Sequence, residues 1–150
     1  MKEELKLKIS ELKKDNIIDH AEKLFSELGI ENTTIDVIAK SAGISKRTVY
    51  TYFSSKTELY NAILYRANKD MYEYFYILIQ KKEFISLKPK EKLNALWSAL
   101  INFKTEKNLY FKIITMYENQ KEDISTTDEY LKKSYEWGQK IHLILKEIII

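Results

Sequence analysis

No cysteine occurs in this chain of 150 residues. Disulfides, thiolate metal sites and cysteine nucleophiles are excluded, and the usage fits a reducing cytoplasm. Glycine appears three times and proline once. That is too seldom for a sheet protein, which needs turn residues every few positions. No apolar run reaches the length of a membrane span. The N-terminus, MKEELKLKISELKK, mixes acids with bases and has no apolar stretch of the kind a signal peptide carries. Glycine-rich phosphate loops, HExxH pairs and nucleophile elbows are all missing. His20 and His142 lack ligand spacing and read as surface or capping residues. The expectation is a cytoplasmic protein with no catalytic site, no metal site, no cofactor and no membrane association.

What the chain does have is helical periodicity. Hydrophobic residues make up 45% of it, enough for a core. Their spacing, with so few breakers, argues an all-α fold. The formal net charge of +3 is modest, so any case for a polyanionic partner rests on local pattern.

A first helix is expected from near Glu3 or Ser10 to Leu28, with Ile17, Ala21, Leu24, Phe25 and Leu28 on one stripe. Gly29 follows as a left-handed stop. Thr33 or Thr34 caps a second helix, Thr33 and Asp36 having capping-box spacing. That helix buries Ile35, Ile38 and Ala39 and ends near Ala42. Gly43 makes the turn, and Ser45 caps a third helix ending around Phe53. Ser55 with Glu58 opens a fourth helix, through about Asn68. A helix from Met71 to Lys82 follows, then one that starts near Pro89 and runs to about Glu106. Another spans Asn108 to about Asn119. The segment KEDISTTDE is expected to be a loop in which Thr126 and Glu129 cap a last helix. The predicted division is 1–56 as one domain and 57–150 as a second, with the fourth helix joining them. The ending LKEIII carries no helix stop and reads as buried against a missing segment or mobile.

From Ser41 through Thr57 there is no acidic residue. On a wheel of about 100° per residue with Val49 facing the core, Phe53 and Tyr52 lie near that face and Lys46 at its edge. Arg47 and Thr51 fall almost opposite, and Thr48 and Tyr50 take the flanks. A short helix with one apolar side and one cationic, hydroxylic and aromatic side suits a DNA major groove. Arg47 can reach guanine bidentately, while Thr51 can accept, donate, or set its methyl on a thymine methyl. Lys46, Thr48, Tyr50 and Tyr52 point toward phosphates, which position without specifying. Lys56, opening the fourth helix, would hold a further phosphate.

This pattern resembles the TetR family of bacterial transcriptional repressors over residues 10–60. Ile17, Ala21 and Phe25 match its first helix, and Gly29 with Thr33 and Thr34 the turn after it. Ile38, Ala39, Ala42, Gly43, Ile44 and Ser45 match its second helix and turn, and Tyr50, Phe53, Lys56 and Leu59 the tail of the motif. The resemblance implies DNA contacts from Thr34, Ser45, Lys46, Thr48, Tyr50, Thr51, Tyr52 and Lys56. Where Arg47 stands the family often has a small residue, and where Thr51 stands it often has His, so an operator is not transferable from a relative. The resemblance also implies an N-terminal three-helix helix-turn-helix domain and a C-terminal helical bundle for effector binding and dimerisation. Residues 69–150 supply all but the final helix of that bundle. The implied partners are near-palindromic double-stranded operator DNA, a small-molecule effector and a second copy of the chain.

Most aromatic residues of the second half read as core. Trp97, Phe103, Tyr110, Phe111 and Tyr117, on central helices, are the candidates for an apolar effector pocket. The contrasting expectation is a helical ligand-binding or adaptor protein whose basic motif is vestigial; it would show no salt-sensitive DNA binding. An enzyme would need converging catalytic groups, which the sequence does not offer.

Overall fold

The computed structural model describes residues 1–119 and 128–149, and all regular structure in them is helical. Eight helices follow in order: α1 (Lys2–Leu28), α2 (Ile35–Ala42), α3 (Lys46–Tyr52), α4 (Lys56–Ile79), α5 (Lys82–Ile85), α6 (Pro89–Glu106), α7 (Asn108–Asn119) and α8 (Glu129–Ile149). The chain divides into two compact units, 1–62 and 63–150, and the division falls inside α4.

The first unit is built on α1, which starts at Lys2. Ile17, Ile18, Ala21, Leu24 and Phe25 are its buried residues; Leu28, expected on the same stripe, is exposed. Ile35, Ile38 and Ala39 of α2, Val49 and Phe53 around α3, and Leu59 and Ala62 at the start of α4 are buried as well. α1 ends at Gly29, whose φ of 84° and ψ of 154° lie in a region only glycine adopts readily. The positive φ is as expected, but the backbone is extended there rather than left-handed helical.

Two neighbouring threonines settle the start of α2. Thr34 is the cap, its hydroxyl accepting from the Val37 N–H at 3.3 Å. Thr33 is fully buried, and its hydroxyl donates to the Gly29 carbonyl at 2.8 Å and the Leu24 carbonyl at 3.3 Å. The α2–α3 turn is a complete Schellman arrangement. The Gly43 N–H reaches the Lys40 carbonyl, the Ile44 N–H reaches the Ala39 carbonyl, and Gly43 sits at φ 67°, ψ 30°.

In the second unit the expected break after Asn68 is absent. α4 is continuous through Ile79, so the two helices read separately from sequence are one. Nothing between Asn68 and Met71 breaks a helix. Asn68, which looked like a terminus, is buried and donates to Ser134 Oγ at 2.9 Å. α5, only 4 residues long, was not foreseen. α6 starts at Pro89 as expected, with the Glu91 carboxylate accepting from the Lys88 N–H at 2.8 Å. The core of this unit is Met71, Phe75, Phe84, Leu96, Ala99 and Phe103. α8 is capped by Asp128, whose Oδ1 accepts from Tyr130 N and Leu131 N. Thr126, and the loop expected before it, lie outside the described residues, as does Ile150.

Candidate nucleic-acid interface

The interface candidate grows from α3, a helix of only 7 residues. A helix this short does not persist alone in water, because nucleation costs more than so few hydrogen bonds return. Two devices hold it. Val49 and Phe53 are 0% and 1% exposed, and burying side chains of this size contributes roughly 1.5–3 kcal/mol each. Ser45 supplies the cap: its Oγ accepts from the Thr48 N–H at 3.1 Å and shares a 2.8 Å hydrogen bond with Thr48 Oγ1.

With Val49 turned inward, the opposite side faces solvent. Ser45, Lys46, Arg47, Tyr50 and Thr51 are exposed, and Thr48 and Tyr52 are half-buried. Thr34, at the start of α2, is also exposed. None of them is packed inside, and Tyr52, expected near the core face, is half-buried.

Their hydrogen bonds refine what each can offer. The Thr51 hydroxyl donates to the Arg47 carbonyl one turn back, at 3.1 Å. Lys46 Nζ lies 3.0 Å from Asp36 Oδ2 on α2. That hydrogen bond, with the carboxylate charge behind it, raises the Lys46 pKa above its ordinary value, so the side chain stays cationic. Asp36, expected from its spacing to form a capping box with Thr33, pairs with Lys46 instead. Its position one helix away, facing the lysine, was not visible in any local pattern.

Lys56 is also engaged. Its ammonium donates to the Ile30 carbonyl in the α1–α2 connection, tying the start of α4 to that loop. Beside it, the Glu58 N–H donates to Ser55 Oγ at 3.1 Å, while the Glu58 carboxylate accepts from the Ser54 N–H and from Ser54 Oγ. The expected Ser55–Glu58 box is present with its return arm shifted to Ser54. His20, expected as a surface or capping residue, is half-buried, and its Nδ1 lies 2.8 Å from Ser41 Oγ, joining α1 to α2.

The five aromatic pocket candidates have unlike environments. Trp97 is 66% exposed on α6, whereas Phe103 is fully buried with its ring edge-on to Tyr74 at 5.5 Å. Phe111 packs against the core, with Lys104 Nζ 5.7 Å from its ring centroid. Tyr117 is half-buried. Tyr110 lines an open cleft of about 260 Å³ with Arg66, Lys69, Asp70, Glu73 and Lys107, a charged rather than apolar setting. Lys107 Nζ lies 3.5 Å from Asp70 Oδ2 there. Among the described residues no cluster of His, Cys, Asp and Glu could hold a metal ion, and no helix is long and apolar enough to cross a membrane.

The family model for bacterial regulatory proteins of the tetR family matches residues 17–63, which hold α1's buried half, α2, α3 and the start of α4. The icaADBC biofilm operon HTH-type negative transcriptional regulator IcaR of Staphylococcus aureus (strain Newman) is 33% identical over 113 residues, covering 75% of this chain and 57% of that protein. The HTH-type transcriptional regulator YhgD of Bacillus subtilis (strain 168) is 39% identical over 59 residues, 39% of this chain and 31% of that one. Among solved structures, the TetR family transcriptional regulator PfmR from Thermus thermophilus superposes with a TM-score of 0.63 at 25% identity, over 89% of this chain and 68% of that one. The fatty acid degradation regulator FadR from Bacillus halodurans has a TM-score of 0.60 at 22% identity, over 91% of this chain and 66% of that one, a likeness of fold alone. The chain thus spans 57% of the length of IcaR and 31% of that of YhgD.

Proposed function

The chain belongs to the TetR family of bacterial regulatory proteins, and we propose that it is a sequence-specific DNA-binding transcriptional regulator, a ligand-released repressor that works in the cytoplasm. The observation that carries the reading is the outward face of α3. Arg47, Tyr50 and Thr51 are exposed on a helix fixed from behind by Val49 and Phe53. Arg47 and Thr51 meet base edges on the floor of the major groove. Ser45, Lys46, Thr48, Tyr50, Tyr52 and Thr34 face the phosphate walls. Lys56 contributes a weaker phosphate contact, because its ammonium already holds the Ile30 carbonyl.

Two copies would present α3 to half-sites of a near-palindromic operator, with centres one groove repeat apart. A small-molecule effector held by the second unit would shift α4, the element shared by both units, and weaken operator binding by a coupling on the order of 1–3 kcal/mol. The non-enzymatic reading follows from this mechanism, which requires no bond to be made or broken.

The test is fluorescence anisotropy on DNA upstream of candidate target genes, across a salt series. Lys46→Ala should flatten the slope of log affinity against log salt by about one unit, as expected for one lost phosphate contact. Arg47→Ala should relax preference at one base pair. No salt-sensitive binding to any duplex would refute the proposal and favour a vestigial motif.

A further inference from the structure

We infer that Thr51 is a specificity-determining residue that reads a thymine through its methyl group and gives the base no hydrogen-bond donor. The inference rests on the DNA-binding reading above and goes beyond it by naming the base.

The Thr51 hydroxyl has one proton, and that proton is held by the Arg47 carbonyl at 3.1 Å. A threonine hydroxyl bonded back to the carbonyl four residues earlier is turned toward its own helix. The side chain therefore has no proton for a base edge, and its remaining apolar group is the methyl. The nearby hydroxyls of Ser45 and Thr48 share one hydrogen bond, and Ser45 also accepts from the Thr48 N–H, so one proton of the pair stays available at the start of the helix. Further hydrogen-bond donation from the exposed side of α3 comes from Lys46, Arg47 and Tyr50, and Lys46 stands at the edge beside Asp36.

In the major groove only thymine presents a methyl group, at C5, and threonine methyls are suited to pack on it. The contact would exclude water from two small apolar surfaces. Arg47 and Thr51 stand about one turn apart, roughly 6 Å along α3 at 1.5 Å per residue, which is between one and two base steps of about 3.4 Å. The thymine read by Thr51 should therefore lie within about two base pairs of the guanine read by Arg47.

The experiment begins by selecting duplexes from a random pool with the full chain. Each thymine of the selected half-site is then replaced singly by deoxyuridine, which lacks only the C5 methyl. Affinities are measured for the wild type, Thr51→Ser and Thr51→Val. The wild type should lose about four-fold at one thymine per half-site, the scale of one buried methyl-sized group. Thr51→Ser, which keeps the hydroxyl and deletes the methyl, should bind thymine and uracil duplexes equally at that position. Thr51→Val, which keeps a methyl and deletes the hydroxyl, should retain the discrimination. A selected operator with no uracil-sensitive thymine would overturn the inference while leaving DNA binding intact. So would full discrimination by Thr51→Ser, or collapse of binding confined to Thr51→Val. Failure to enrich any sequence would overturn the DNA reading itself.

Discussion

Thr33 and Thr34 are neighbours with unrelated duties. Thr34 is exposed at the start of α2 and offers its oxygen to a main-chain N–H. Thr33 is sealed inside and satisfies two carbonyls at the end of α1. Removing that buried donor takes away its shorter hydrogen bond, to the Gly29 carbonyl, at about 1–3 kcal/mol. Thr33→Val should therefore lower the stability read from urea unfolding by about that much and leave the salt slope of DNA binding alone; an unchanged midpoint would show that the hydroxyl is dispensable. Asp36 gives the reverse case. Its pairing with Lys46 is exposed, and such pairs contribute little to stability. Its charge, however, sits beside a lysine assigned to a phosphate. Asp36→Asn should tighten DNA binding several-fold at low salt with little change in melting temperature. Equal or weaker affinity would mean that Asp36 assists by orienting Lys46. Arg47, Thr51, Thr48 and Tyr50 were legible in the sequence, because a helical wheel anchored on Val49 places them opposite or beside the core face. The partners of Lys46, Lys56 and Thr51 were not, because they depend on elements meeting in space or on one rotamer.

α3 depends on its cap more than a longer helix would. With 7 residues, it has few hydrogen bonds to lose before its first turn opens. Ser45→Ala should cost about 0.5–2 kcal/mol. The loss would concentrate in the turn that holds Lys46, Arg47 and Thr48, so DNA affinity should fall further than global stability. Hydrogen exchange at the Thr48 amide would check this; protection equal to wild type would rule out fraying as the cause. The α2–α3 turn was readable because Ala42, Gly43, Ile44 and Ser45 are each dictated by backbone geometry. Pro89 marked the start of α6 for the same reason. The continuity of α4 was not readable. Asn68 and the charged pair after it imitate a helix end, and the residue that rescues Asn68, Ser134, lies far along the chain. No local window contains both.

At the scale of the whole molecule, each unit carries a tyrosine that resists ionisation. Burial raises the Tyr60 pKa above the usual phenol range. Burial, with Glu106 adding to it, does the same for Tyr74. A phenol with a raised folded pKa keeps its proton where the unfolded chain has already lost it. Stability from this source is therefore complete below about pH 10 and is lost as pH rises through the folded values. Urea midpoints should decline above that point, and the double variant Tyr60→Phe, Tyr74→Phe should flatten the decline. An identical alkaline fall in that variant would place its cause elsewhere. The all-helical class and the family were legible from periodicity and from one motif. A shared apolar pocket was not, because the five candidate aromatics have unlike exposure once the helices pack: Trp97 is exposed, Phe103 buried and the other three half-buried.

The carboxylate on α2 would have a kinetic consequence if Lys46 holds a phosphate as proposed. A lysine slipping from the duplex would be recaptured by its own protein before it could rebind. Departure would thereby be hastened, and the length of each stay would be set by bases and not by backbone charge.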